Sequence, residues 1–169
     1  MAQTACFYVL TLNSLDELRK LDTGNVSNKK TWLKRITKSV DPLQEKLESL
    51  AVNKMYYRYS GLAFAILSAF SKEKLEADWD DLEYSSIAKE LSERTGTGIY
   101  IFTINDMQLL KLVPTEKFYS LEQLDLFAIE FAGNEPSNPD VMRKAIEVFS
   151  EALYKLSNDR VILLSMYSR

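Results

Sequence analysis

The residues of this chain best suited to chemistry form an acidic cluster near the middle of the sequence: Glu76, Asp78, Asp80, Asp81 and Glu83. Alternating carboxylates supply the oxygen ligands that Ca²⁺ and Mg²⁺ prefer. A calcium-binding loop also needs a central glycine, and this segment contains none. Three interpretations therefore stand side by side: a solvated loop that caps a helix, a docking site for a basic partner, and a metal site.

Trp79 lies among these carboxylates and Tyr84 directly follows Glu83, and we call residues 78–84 the acidic segment. A tryptophan with a charged rim is typical of an interface hot spot, although a tryptophan in the hydrophobic core is the alternative. We predict that the segment is a partner-binding surface. Its residues are Asp78, Trp79, Asp80, Asp81, Glu83 and Tyr84.

The chain contains no histidine and one cysteine, Cys6. This composition excludes Ser-His-Asp and Cys-His catalysis and removes the commonest zinc ligand. Cys6 stands in an apolar run, so we expect a small buried side chain rather than a reactive thiolate. We predict a protein that is not an enzyme and binds no cofactor or metal. Catalysis by carboxylate, tyrosine or lysine side chains remains the alternative.

A basic helix face is predicted within residues 27–38, formed by Lys29, Lys30, Lys34, Arg35 and Lys38. Such a face is typical of a solvated helix, and binding to nucleic acid is the alternative. The net charge of −3 argues against general binding to nucleic acid or to an anionic membrane.

The length of 169 residues fits one domain, which we assign to residues 1–169. Hydrophobic residues make up 46% and charged residues 27%, values typical of a globular chain with its own core. A single cysteine and the absence of a recognisable secretory signal predict a cytoplasmic location.

The hydrophobic pattern predicts an α+β fold with one sheet of about four strands and helices packed on it. Residues 5–12 and 161–167 are nearly all apolar, which is typical of strands buried on both faces. Residues 99–104 predict a strand that forms a hairpin with residues 109–113, and residues 55–59 are a weaker strand candidate. Helices are predicted at residues 15–21, 27–38, 43–52, 82–94, 121–131 and 141–156. A central helix is also predicted, apolar nearly all round at residues 62–70 and polar at residues 71–76.

Short polar signals mark the ends of several helices. The spacing Ser14-x-x-Glu17 predicts a capping box at residue 15, and Ser120-x-x-Gln123 predicts another at residue 121. Thr95-Gly96-Thr97-Gly98 follows a helix and precedes a strand. That order predicts a helix stop rather than a phosphate loop, which would run from a strand into a helix.

Three segments set the general organisation of the chain: FYVLTLNSLDELRKL, IAKELSERTGTGIYIFTIND and the closing RVILLSMYSR. In this order the chain resembles small bacterial toxin-immunity proteins, and the resemblance carries over no individual site residue. The resemblance implies a protein that binds and neutralises a toxin. From the acidic segment itself, we predict that the chain attracts a basic toxin domain and occludes its active site, with mimicry of the toxin's anionic substrate as the alternative.

Overall fold

The computed structural model describes residues 3–20, 42–106, 119–132 and 139–168. Their strands form one sheet of four, in the order β2-β1-β4-β3, and every neighbouring pair is antiparallel. The strands are β1 (Gln3–Thr11), β2 (Asn53–Tyr57), β3 (Gly98–Phe102) and β4 (Arg160–Ser168). The prediction of an α+β fold with about four strands is confirmed.

The two central strands, β1 and β4, are buried on both faces, as their nearly continuous apolar runs predict. Residues 5–10 of β1 and 161–164 of β4 are each at most 1% exposed. Alternate side chains point to opposite faces, so Phe7 belongs to one hydrophobic cluster and Tyr8 to the other. Antiparallel sheets commonly leave one face to water, whereas helices cover both faces here.

In the described part of the chain, three α-helices lie on each face of the sheet. One layer packs on the side of Phe7 and the other on the side of Tyr8. The first layer contains α3 (Leu62–Leu75), α5 (Leu121–Ala132) and α6 (Pro139–Leu153). The second contains α1 (Leu12–Arg19), α2 (Pro42–Leu50) and α4 (Ser85–Thr95).

The predicted signals at two helix ends are confirmed in atomic detail. At the start of α5, the Gln123 N–H donates to Ser120 Oγ over 3.2 Å, and the Ser120 N–H donates to Gln123 Oε1 over 2.9 Å. This is the reciprocal geometry of a capping box. At the end of α4, Gly96 has φ +68°, a left-handed conformation that glycine adopts without strain.

The predicted capping box at Ser14 is wrong. Helix α1 begins at Leu12, directly after β1, so Ser14 lies inside the helix. Its hydroxyl lies 2.8 Å from Thr11 Oγ1 and caps no backbone N–H. The N–H of Leu12 donates instead to the carbonyl of Asp159 over 3.1 Å.

Other helix boundaries also differ from the prediction, most clearly those of α4 and α6. Helix α4 begins at Ser85 rather than at residue 82, because a separate 3-10 turn (Trp79–Asp81) precedes it. Helix α6 spans Pro139–Leu153 rather than residues 141–156. The predicted basic helix at 27–38 and the hairpin strand at 109–113 lie outside the described residues.

Candidate partner-binding surface

The acidic segment, residues 78–84, begins where α3 ends. Glu76 follows the helix in a left-handed conformation, with φ 54°. Ser71, which is fully buried, then holds Ala77: its hydroxyl donates to the Ala77 carbonyl over 2.7 Å, and its carbonyl accepts the Ala77 N–H over 3.1 Å. These bonds fix the direction in which the chain enters the acidic segment.

Asp78 caps the 3-10 turn that follows it. Its Oδ1 accepts a hydrogen bond from the Asp80 N–H over 3.0 Å, and its Oδ2 lies 2.5 Å from Lys72 Nζ. The hydrogen bond from Lys72, followed by that from the Asp80 N–H, lowers the pKa of Asp78 below its ordinary value. Asp78 is therefore already engaged in holding the turn.

Trp79 lies in the hydrophobic core and is 1% exposed. Its ring stacks on Phe149 at 5.2 Å between centroids, and it meets Tyr100 and Phe102 edge to face at 5.1 and 5.2 Å. The alternative of a core tryptophan is thus the one that the structure supports. Trp79 anchors the acidic segment from beneath and presents almost no surface to a partner.

Asp80 and Asp81 carry the outward charge of the segment. Both residues are exposed, and neither forms an ion pair with another described residue. Glu76, just before the segment, is also exposed. These three carboxylates stand on backbone that Ser71, Asp78 and Trp79 hold in place.

Glu83 connects the segment to the end of β3. Its Oε2 accepts hydrogen bonds from Thr103 Oγ1 over 2.7 Å and from Asn105 Nδ2 over 2.9 Å. The buried Asp106 accepts a hydrogen bond from the N–H of the same Thr103 over 2.7 Å.

Tyr84 is half-buried and packs against the core cluster on the Tyr8 side of the sheet. Glu83 and Tyr84 therefore help to hold the segment, although Glu83, like Asp80 and Asp81, is exposed.

Sequence reasoning missed the residues that organise the segment. Lys72 and Ser71 lie one helical turn before the end of α3, and Thr103 and Asn105 follow β3 some 20 residues further along the chain. The one available signal is the change from apolar to polar residues at Ser71, and that change says nothing about which groups meet in space.

A cleft of about 560 Å³ opens beside the acidic segment, between α4 and β3. Its described lining includes the carboxylate of Asp80 and the exposed Lys89. Other residues lining the cleft are Trp79, Ser85, Ser86, Ser92 and Tyr100.

The prediction that Cys6 is buried is confirmed, with 0% exposure. Burial raises the pKa of its thiol to about 11, so the thiolate is disfavoured at neutral pH. Within the described ranges, no group of three or more Cys, Asp or Glu side chains is arranged to hold a metal ion. None of the helices in those ranges combines the length and apolar character needed to cross a bilayer.

Comparison with known proteins identified no relative of this chain. No protein-family model matches the chain, and no curated protein or solved structure matches it either.

Proposed function

We propose that this chain is a cytoplasmic binding protein of the bacterial toxin-immunity kind, which neutralises a basic protein partner by occluding its active site. The observation that carries the proposal is the placement of Asp80 and Asp81. Both carboxylates are exposed, and they stand on a turn that Trp79 anchors in the core and Asp78 caps.

Two physical consequences of this placement favour protein recognition. An ordered surface loses less conformational entropy on binding than a flexible one, so more of the contact energy appears as affinity. Unpaired surface carboxylates also speed the encounter with a basic partner, and that attraction weakens as salt screens it.

The first experiment identifies the partner by photo-crosslinking in the native host. Asp81 is replaced by the photoreactive benzoylphenylalanine, and Glu93, an exposed residue on α4, is replaced in a control. We expect a basic protein to crosslink at position 81 and not at position 93. The same adducts at both positions, or none at position 81, would contradict the site.

The second experiment tests neutralisation. The captured protein is expressed in a surrogate host, where we expect it to arrest growth and the wild-type chain to restore growth. Asp80→Lys/Asp81→Lys should fail to restore it. Glu93→Lys/Glu130→Lys changes two exposed carboxylates and makes the same change in net charge, so it should still protect. Equal protection by both double variants would refute occlusion through the acidic segment.

A further inference from the structure

Strand β2 is one edge of the sheet, at the far side from β3 and the acidic segment. Among the described residues, no strand pairs with its outer side. An open edge presents backbone N–H and C=O groups to which another extended chain can add.

Two backbone bonds show which groups of β2 face outward. The Leu12 N–H donates to the Asp159 carbonyl. The backbone N–H and C=O groups of the even-numbered β1 residues therefore point toward β4. The Val9 carbonyl accepts a hydrogen bond from the Val52 N–H over 2.9 Å. The backbone groups of the odd-numbered β1 residues therefore point toward β2. Phe7 and Met55 are therefore a hydrogen-bonded pair. Because bonded and non-bonded pairs alternate, the backbone groups of Lys54 and Tyr56 point away from the sheet.

Three large apolar or aromatic side chains in or beside β2 are exposed, among polar residues that include Asn53 and Lys54. Val52 is 58%, Tyr56 47% and Tyr59 46% exposed. A lysine on an edge strand normally opposes pairing, and Lys54 occupies that position here. Its charge is compensated, however, because Glu48 Oε2 lies 3.1 Å from Lys54 Nζ.

We propose that β2 pairs antiparallel with β2 of a second copy of this chain, about a two-fold axis at Met55. This register follows from the outward groups. In this register, the backbone of Lys54 in each copy exchanges two hydrogen bonds with the backbone of Tyr56 in the other copy. The two pairs together give four backbone hydrogen bonds and a continuous eight-stranded sheet.

The side chains favour this register over binding of an arbitrary strand. The lysine of each copy meets a tyrosine of the other on both sides of the axis, so no like charges stand opposite. Lys54 already lies over the Tyr56 ring of its own chain, 5.4 Å from the centroid, so the two side chains are compatible as a cation–π pair. The half-buried Met55 side chains would meet on the other face. Both acidic segments would stay accessible at the outer edges of the dimer.

Sedimentation equilibrium of the full chain over a wide concentration range tests this dimer. We expect a reversible dimer. Tyr56→Lys places like charges opposite each other twice and should raise its dissociation constant at least about tenfold. Tyr154→Lys, at a 71% exposed tyrosine after α6, makes the same change in charge and should leave the dimer intact. Lys54→Glu/Tyr56→Lys should restore pairing.

A disulfide test fixes the register. The non-hydrogen-bonded pair at the axis places two Cα atoms about 4.5 Å apart, within reach of a disulfide. Met55→Cys should therefore form a covalent dimer with oxidised glutathione, whereas Tyr154→Cys should not. A wild-type chain that stays monomeric at every concentration, or a dimer unaffected by Tyr56→Lys and not crosslinked through Met55→Cys, would overturn the proposal.

Discussion

The acidic segment and strand β2 lie at opposite edges of the sheet and offer different chemistry to solvent. In the acidic segment, the aromatic residue Trp79 points into the core and the carboxylates of Asp80 and Asp81 point out. At β2, the aromatic ring of Tyr56 is exposed and the charge of Lys54 is matched by a neighbouring carboxylate.

This difference separates two ways of recognising a protein. Exposed charge on an anchored turn acts at a distance, so it governs the encounter rate and its salt dependence. Backbone groups and tyrosine rings act only in contact, so they govern register and the lifetime of the complex. The following substitutions test whether the two edges differ in this way.

Truncation of the two aromatic side chains should give the largest contrast. Trp79→Ala removes a ring packed against Phe149, Phe102 and Tyr100, and it should lower the free energy of unfolding by about 3–5 kcal/mol. Tyr56→Ala removes only the exposed contacts with Lys54 and Glu48, and it should lower the stability of the monomer by at most about 1 kcal/mol. Urea denaturation at low protein concentration measures both values. Similar losses for the two variants would mean that Trp79 does not anchor the segment.

Removal of the cap should have an intermediate effect. Asp78→Ala leaves the Asp80 N–H uncapped and should cost about 1 kcal/mol of stability at neutral pH. The folded-state pKa of Asp78 is lowered, so its stabilising contribution is present above the ordinary aspartate pKa and is lost as the pH falls through the lowered value. The stability of the wild type and of the variant should therefore converge in acid. A constant difference across this range would show that the Asp78 carboxylate does not stabilise the turn.

The smallest effect on stability is expected for the residues proposed to bind. Asp80→Lys/Asp81→Lys should change the free energy of unfolding by less than about 0.5 kcal/mol, because neither side chain forms an ion pair with a described residue. Thermal and urea unfolding, beside the Glu93→Lys/Glu130→Lys control, measure this change. A loss of several kcal/mol would assign these carboxylates to the fold rather than to a surface.

The sequence predicts elements well where the signal is local and continuous. The nearly continuous apolar runs of β1 and β4 predict strands buried on both faces, and Ser120 with Gln123 predicts the start of α5. The same motif fails at Ser14, because a contact distant in sequence, from Leu12 to Asp159, allows α1 to begin earlier. Local signals cannot include such a bond.

The candidate site is predictable only in part for the same reason. The charge of Asp80 and Asp81 can be read directly, and both residues are exposed. The direction of Trp79 depends on Tyr100, Phe102 and Phe149, which come from β3 and α6 far along the chain. The neighbouring carboxylates predict that Trp79 is exposed, whereas contacts with these three distant rings bury it.

The most direct test of the central proposal is the salt dependence of binding between this chain and the partner captured at position 81. Wild-type affinity should fall as the salt concentration rises. Asp80→Lys/Asp81→Lys should bind more weakly and with a flatter salt dependence, while Glu93→Lys/Glu130→Lys should retain most of the wild-type affinity. An affinity and a salt slope unchanged by the substitutions at Asp80 and Asp81 would contradict the account.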